Sequence, residues 1–141
     1  MQLVIFSLKD KFYGMPSQDV VEITGAVTWT PVPNSPDWLL GLINLRGNVI
    51  SLVHCERFMT NTEKSETTTD LCYNNTIIIK HNGKQTALAV DKVHEVIDIK
   101  EEDIQLPVEG ENLFRGVFSR NDVVVNVIRL SMLLFKNEGL N

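Results

Sequence analysis

Two glutamates stand inside short apolar runs, Glu22 in Val20-Val21-Glu22-Ile23 and Glu95 in Val93-His94-Glu95-Val96. A carboxylate in such a run needs a solvent-facing side or a cationic partner. Two arrangements meet that need. Plain strand alternation turns the glutamate outward; alternatively Glu22 pairs with Arg46 on an exposed face and holds its guanidinium rigid for a partner. Arginine suits that work, because its planar fork donates several hydrogen bonds and stays charged.

Catalytic and metal-binding constellations are not formed by the remaining reactive side chains. His54 and Cys55 are adjacent, so on a strand they point to opposite faces and do not ligate one ion. His81, His94 and Cys72 are scattered without CxxC or HxxxH spacing, and neither GxGxxG nor GxxxxGK[ST] occurs. Cys55 lies beside Glu56 at an apolar strand end, the reverse of the electropositive setting that activates a thiol. Ser51, between Ile50 and Leu52, has no nucleophile elbow around it. Glu101, Glu102 and Asp103 read as a solvated acidic surface. The expectation is a protein without catalytic residues, metal or cofactor.

The elements that position these residues come from 141 residues, 43% hydrophobic and 22% charged, an ordinary globular balance. With 13 Lys+Arg against 18 Asp+Glu the formal charge is −5, which argues against a reader of nucleic-acid backbone and against an anionic lipid surface. Apolar runs are all broken well short of the roughly 18 residues a membrane helix needs. The start, Met1 to Lys9, lacks the basic and small-residue features of a signal peptide, and two thiols fit a reducing compartment, so a cytoplasmic location is expected.

An internal duplication organises the chain. Residues 4–23 lie gap-free over 77–96, an offset of 73 that matches Ile5 with Ile78, Lys11 with Lys84, Val20 with Val93 and Glu22 with Glu95. Residues 41–59 lie over 116–134, an offset of 75 that matches Gly41 with Gly116, Val49 with Val124 and Leu52 with Val127. On that second offset Arg120 is one residue out of register with Arg46, so it is the arginine a Glu95 pair would require.

Both copies read as β. Leu3–Leu8 and Thr76–His81 are rich in apolar and β-branched residues and end in turn residues. Phe12–Met15 or Gln85–Val90 returns, and Val20–Ala26 or Val93–Ile99 follows. Gly41–Asn44 and Asn48–Val53 form a hairpin over Leu45-Arg46-Gly47, where glycine supplies positive φ; the second copy uses Arg120-Asn121-Asp122. About five short strands per copy suit a small barrel.

The expected fold is therefore all-β: two five-stranded β-barrel subdomains related by duplication, with a short C-terminal element around Leu130, Leu133 and Leu134 that helical spacing favours and a further strand would also fit. One folding unit spans 1–141, with subdomain 1 about 1–60, a polar linker about 61–75 and subdomain 2 about 76–141. Trp29 and Trp38 flank the proline-rich stretch 30–36 and either cap a barrel end or anchor a partner.

These runs together resemble the CheW-like family. The resemblance rests on Val20-Val21-Glu22-Ile23, a proline-bearing connector, Gly41-Leu42-Ile43-Asn44-Leu45-Arg46-Gly47, and the strand pair Val90-Asp91-Lys92-Val93-His94-Glu95-Val96, which is similar to a VDxVxEV motif. It implies SH3-like barrels and a non-enzymatic chemotaxis adaptor. It implies as partners the regulatory domain of a CheA-type histidine kinase and the cytoplasmic tip of methyl-accepting chemoreceptors, with recruitment to membrane-bound arrays. Carried over by motif, Val20, Glu22, Gly41, Asn44, Arg46 and Gly47 are the receptor and array-forming residues, and Val90, Asp91, Val93 and Glu95 are the kinase-side residues. The family continues after its NLRG run with a proline and an aspartate-leucine pair, where this chain has Ser51 and His54-Cys55; any cap or contact made by that aspartate is in doubt. The alternatives are a diverged scaffold of another signalling array, such as a pilus-type one, and a barrel-type oligonucleotide-binding module.

Overall fold

A computed structural model describes residues 1–60, 73–105 and 114–129. Most of the expected linker, Cys72 and the expected C-terminal helix around Leu130–Leu134 lie outside the described residues. Two compact units are present, one built from 1–18 with the chain from Val93 onward, the other from 19–92.

The first unit holds strands β1 (Gln2–Leu8), β2 (Lys11–Pro16), β8 (Lys92–Asp98), β9 (Phe114–Arg120) and β10 (Val123–Ile128) in the order β8-β1-β2-β10-β9. The second holds β3 (Val20–Gly25), β4 (Leu39–Leu45), β5 (Asn48–His54), β6 (Asn75–His81) and β7 (Lys84–Val90) in the order β3-β6-β7-β5-β4. One short helix, α1 (Cys55–Thr60), follows β5. The two five-stranded sheets expected from sequence are thus present. Among the described residues no helix is long and apolar enough to cross a membrane.

Each sheet draws on both sequence halves, so the sheets do not coincide with 1–60 and 76–141. The first hairpin of each copy joins the last three strands of the other, through parallel pairing of β2 with β10 and of β7 with β5. Connection length explains this. Only Asp91 separates β7 from β8, too little chain for the two-residue reversal an antiparallel neighbour requires, so β8 runs on into the other sheet. Between β2 and β3 the chain passes from one sheet to the other through the 3-10 turn Ser17–Asp19, whose three residues pair with neither strand.

The duplication extends to register. Leu52 faces Ala87 and Val127 faces Gly14, the same pairing under the two offsets. Isolated bridges recur as Thr30 with Leu42 and Gln105 with Val117, where the chain leaving β3 or the 3-10 turn Glu101–Asp103 runs beside β4 or β9. That close approach explains Gly41 and Gly116. A Cβ on Gly41 would overlap the carbonyl of Thr30, and one on Gly116 would stand 2.5 Å from the carbonyl oxygen of Gln105.

Period-two alternation builds each core. In the second unit Leu40, Ile43, Ile50, Leu52, Ile78, Ala87 and Ala89 pack with Tyr73, and Val27, Trp29 and Leu45 close the edge. The Tyr73 hydroxyl donates to the Val27 carbonyl (3.0 Å) and accepts its N–H (3.1 Å), tying the post-β3 segment to the core. In the first unit Leu3, Ile5, Ile97, Ile104, Phe118, Val125 and Val127 form the cluster. Each such aliphatic contributes on the order of 1.5–3 kcal/mol by burial. Both tryptophans serve packing: Trp29 lies 6.1 Å from the Tyr73 ring, and Trp38 meets Phe58 edge-on at 4.7 Å.

Candidate functional site

The β4–β5 hairpin closes on two residues in the left-handed region, Arg46 (φ 49°) and Gly47 (φ 88°). Positive φ at both positions suits the right-handed twist of the flanking strands. Glycine takes it freely; arginine does so at a cost of about 1 kcal/mol. Asn44 fixes the turn, its Oδ1 accepting the N–H of Gly47 at 2.9 Å. The arginine therefore projects from a reversal with little freedom to rearrange.

Its guanidinium meets Glu22: Nη1 donates to Oε1 at 2.6 Å, with the arginine side chain 70% and the glutamate 26% exposed. Of the two readings open in the sequence, the structure takes the paired one. Val21 and Ile23 face outward instead, and a register shift between Val20 and Glu22 accompanies the arrangement. The pair spans the two edges of its sheet, β3 and the β4–β5 hairpin. One Nη is engaged, and the guanidinium remains mostly in solvent.

The second copy has the same link in looser form. Arg120 Nη2 lies 3.7 Å from Glu95 Oε1, and both side chains are about half exposed. Arg120 is the last residue of β9, the position that Leu45 holds in the other copy, and its long side chain covers the one-residue offset. Leu45 packs against its core, whereas Arg120 and Glu95 line a pocket of about 130 Å³ with Ile5, Phe12, Ile97, Val123 and Val125. Its rim includes His94, whose Nε2 lies 2.9 Å from Ser7 Oγ and whose ring sits 5.0 Å from Phe12.

Not all motif residues reach the surface. Glu22, Asn44, Arg46 and Gly47 converge on one turn. Val20 is half-buried in the β3–β6 ladder, and Gly41 lies against Thr30, so both act through packing. Of the four kinase-side residues, Val90 is fully buried, Asp91 and Val93 are half-buried, and Glu95 is exposed, as are Lys92 and His94 beside it. Two surface residues were not singled out in the sequence, Val49 (65% exposed) and Leu42 (37%). Val49 pairs with Asn44 and Leu42 with Ser51 in the ladder, which places both on the outer face of the same hairpin. Strand alternation counted from Ile43 and Ile50 is the signal that finds them.

His54 caps the helix that follows β5. Its Nδ1 accepts the N–H of Arg57 at 3.3 Å, at the start of α1. Cys55 is fully buried, and desolvation, with smaller contributions from Asp91 and Glu56, pushes its thiol up to about 12. Such a thiol is not a nucleophile near neutral pH. Among the described residues no group of three or more His, Cys, Asp or Glu is placed to hold a metal ion.

A family model described as a CheW-like domain matches residues 2–138. The chain is 31% identical over 143 residues to the chemotaxis protein CheW of Helicobacter pylori, covering 97% of this chain and 83% of that protein. It is 24% identical over 142 residues to the chemotaxis protein CheW of Treponema pallidum, covering 97% and 84%. The crystal structure of the scaffolding protein TtCheW from Thermoanaerobacter tengcongensis superposes with a TM-score of 0.78 at 29% identity, covering 94% of this chain and 86% of that one.

Proposed function

This chain belongs to the CheW-like domain family, and from that membership we propose that it is a non-catalytic adaptor coupling chemoreceptors to a CheA-type histidine kinase. In this reading it works in the cytoplasm at receptor arrays, through protein surfaces alone. The observation that carries the reading is the Glu22–Arg46 clasp on the Asn44-held turn. A charged group is placed at a left-handed position where glycine or asparagine would fit more easily, pinned by one contact and left open to solvent. Pre-ordering of this kind reduces the entropy lost on docking. The outward valine and leucine beside it, Val49 and Leu42, add apolar area around the charge.

The Glu95–Arg120 pair supplies the corresponding polar feature of the first unit, and Glu95 is, with Val90, Asp91 and Val93, one of the four residues of this run assigned to the kinase side. Signalling then needs no chemistry in the adaptor. A receptor and a kinase that both bind it are linked, so a shift at one interface alters the population of the other.

Arg46→Glu tests the assignment. The variant is expected to keep the wild-type circular dichroism spectrum and to lose co-sedimentation with a receptor cytoplasmic fragment and the kinase regulatory domain. A folded Arg46→Glu protein that enters the complex like wild type would refute the reading.

A further inference from the structure

Between β5 and α1 the chain is fastened twice to the segment that leads into β4. The backbone N–H of His54 donates to the Trp38 carbonyl at 2.7 Å, and Arg57, buried at 7% exposure, donates from Nη1 to the Asp37 carbonyl at 3.0 Å. The edge-on Trp38–Phe58 contact lies between these two bonds. Arg57 is set for its bond by the first turn of α1, and that turn is closed by the His54 imidazole, which accepts the Arg57 N–H.

The acceptor is a lone pair on Nδ1, and only an unprotonated Nδ1 has one. We propose that His54 is a proton-operated latch: neutral, it holds α1 and the segment 37–38 together; protonated, it releases the cap and places a second cation beside buried Arg57. The charged neighbours are accounted for on each packed element. Arg57 on α1 opposes protonation, Glu56 on α1 and Asp91 after β7 favour it, Asp37 belongs to the fastened segment, and Cys55 is neutral. Burial is the largest influence and Arg57 the next, and together they hold the imidazole below its ordinary value of 6.5. A base with a depressed folded-state pKa contributes stability fully above its unfolded value and loses it as pH falls through the folded one. The latch is therefore shut above pH 6.5 and opens on acidification below it. The inference is independent of the adaptor reading.

Amide hydrogen exchange of the full chain tests it, read as the protection of the Arg57 amide relative to that of Leu88 in the core, corrected for intrinsic pH dependence. Followed from about pH 7.5 down to about pH 5, the wild type is expected to lose relative protection progressively, toward the roughly fivefold that one N-cap contact represents. His54→Asn and His54→Asp, which cap without titrating in this window, are expected to stay level. Constant wild-type protection, or an equal loss in the His54→Asn and His54→Asp variants, would overturn the latch; two substitutions guard against one that does not fold.

Discussion

Replacing Arg46 with glycine separates display from stability. The substitution removes the Glu22 contact, an ion pair whose arginine is 70% exposed and which is screened accordingly, worth about 0.2–1 kcal/mol. It also relieves the left-handed strain at φ 49°, about 1 kcal/mol, while glycine's freedom in the unfolded chain returns about 0.5–1 kcal/mol to the debit side. The contributions nearly cancel. Arg46→Gly should therefore lie within about 1 kcal/mol of wild type, a urea midpoint shift of no more than about 0.3–1 M at a slope of about 1–3 kcal/mol per molar. Arg46→Ala keeps the strain and loses the pair, so it should fall below Arg46→Gly. A cycle with Glu22→Gln should return a coupling of about 0.2–1 kcal/mol. The Arg46→Gly protein should nevertheless fail to join the receptor–kinase complex. An Arg46→Gly unfolding free energy lowered by more than about 1.5 kcal/mol, outside the cancelling terms, would show that the arginine holds the fold together and refute the argument that the turn exists to present it.

Two further outcomes follow from packing. Gly41→Ala and Gly116→Ala force a methyl group into a neighbouring backbone carbonyl, and each should cost about 2–3 kcal/mol or more by urea denaturation; Gly25→Ala, whose Cβ would meet nothing nearer than 4.0 Å, should stay within about 0.5 kcal/mol. Equal costs at Gly25 and Gly41 would contradict the crossing of the chain over β4. In a Cys72→Ser background at pH 8, Cys55 should react with iodoacetamide only as fast as the protein opens, because its thiol is fully buried and raised to about 12; rapid labelling of the native protein would contradict that burial.

The sheet content was legible because apolar and β-branched runs ended in turn residues. The hairpin tips followed from Arg46-Gly47 and Asn121-Asp122, and positive φ occurs at each of these residues. The duplication was legible too, since a repeated fold keeps its strand order and pairing. Less visible was the partner of Glu22. An isolated run cannot show whether its glutamate faces water, and the answer depends on a turn 24 residues away. The cap supplied by His54 was hidden for a similar reason, because imidazole is not among the usual N-cap side chains and its acceptor role depends on local geometry.

Local chemistry, then, lies in the chain itself: which residues form strands, where they reverse, and which few carry charge into apolar surroundings. Which strands share a sheet was decided only in three dimensions. A single residue between β7 and β8 forbids a tight reversal there, the 3-10 turn Ser17–Asp19 carries β2 into β3, and each hairpin has its remaining neighbours from the other copy. Glu22 with Arg46 and Glu95 with Arg120 likewise meet only in three dimensions, because each pair joins elements at opposite ends of its sheet's strand order.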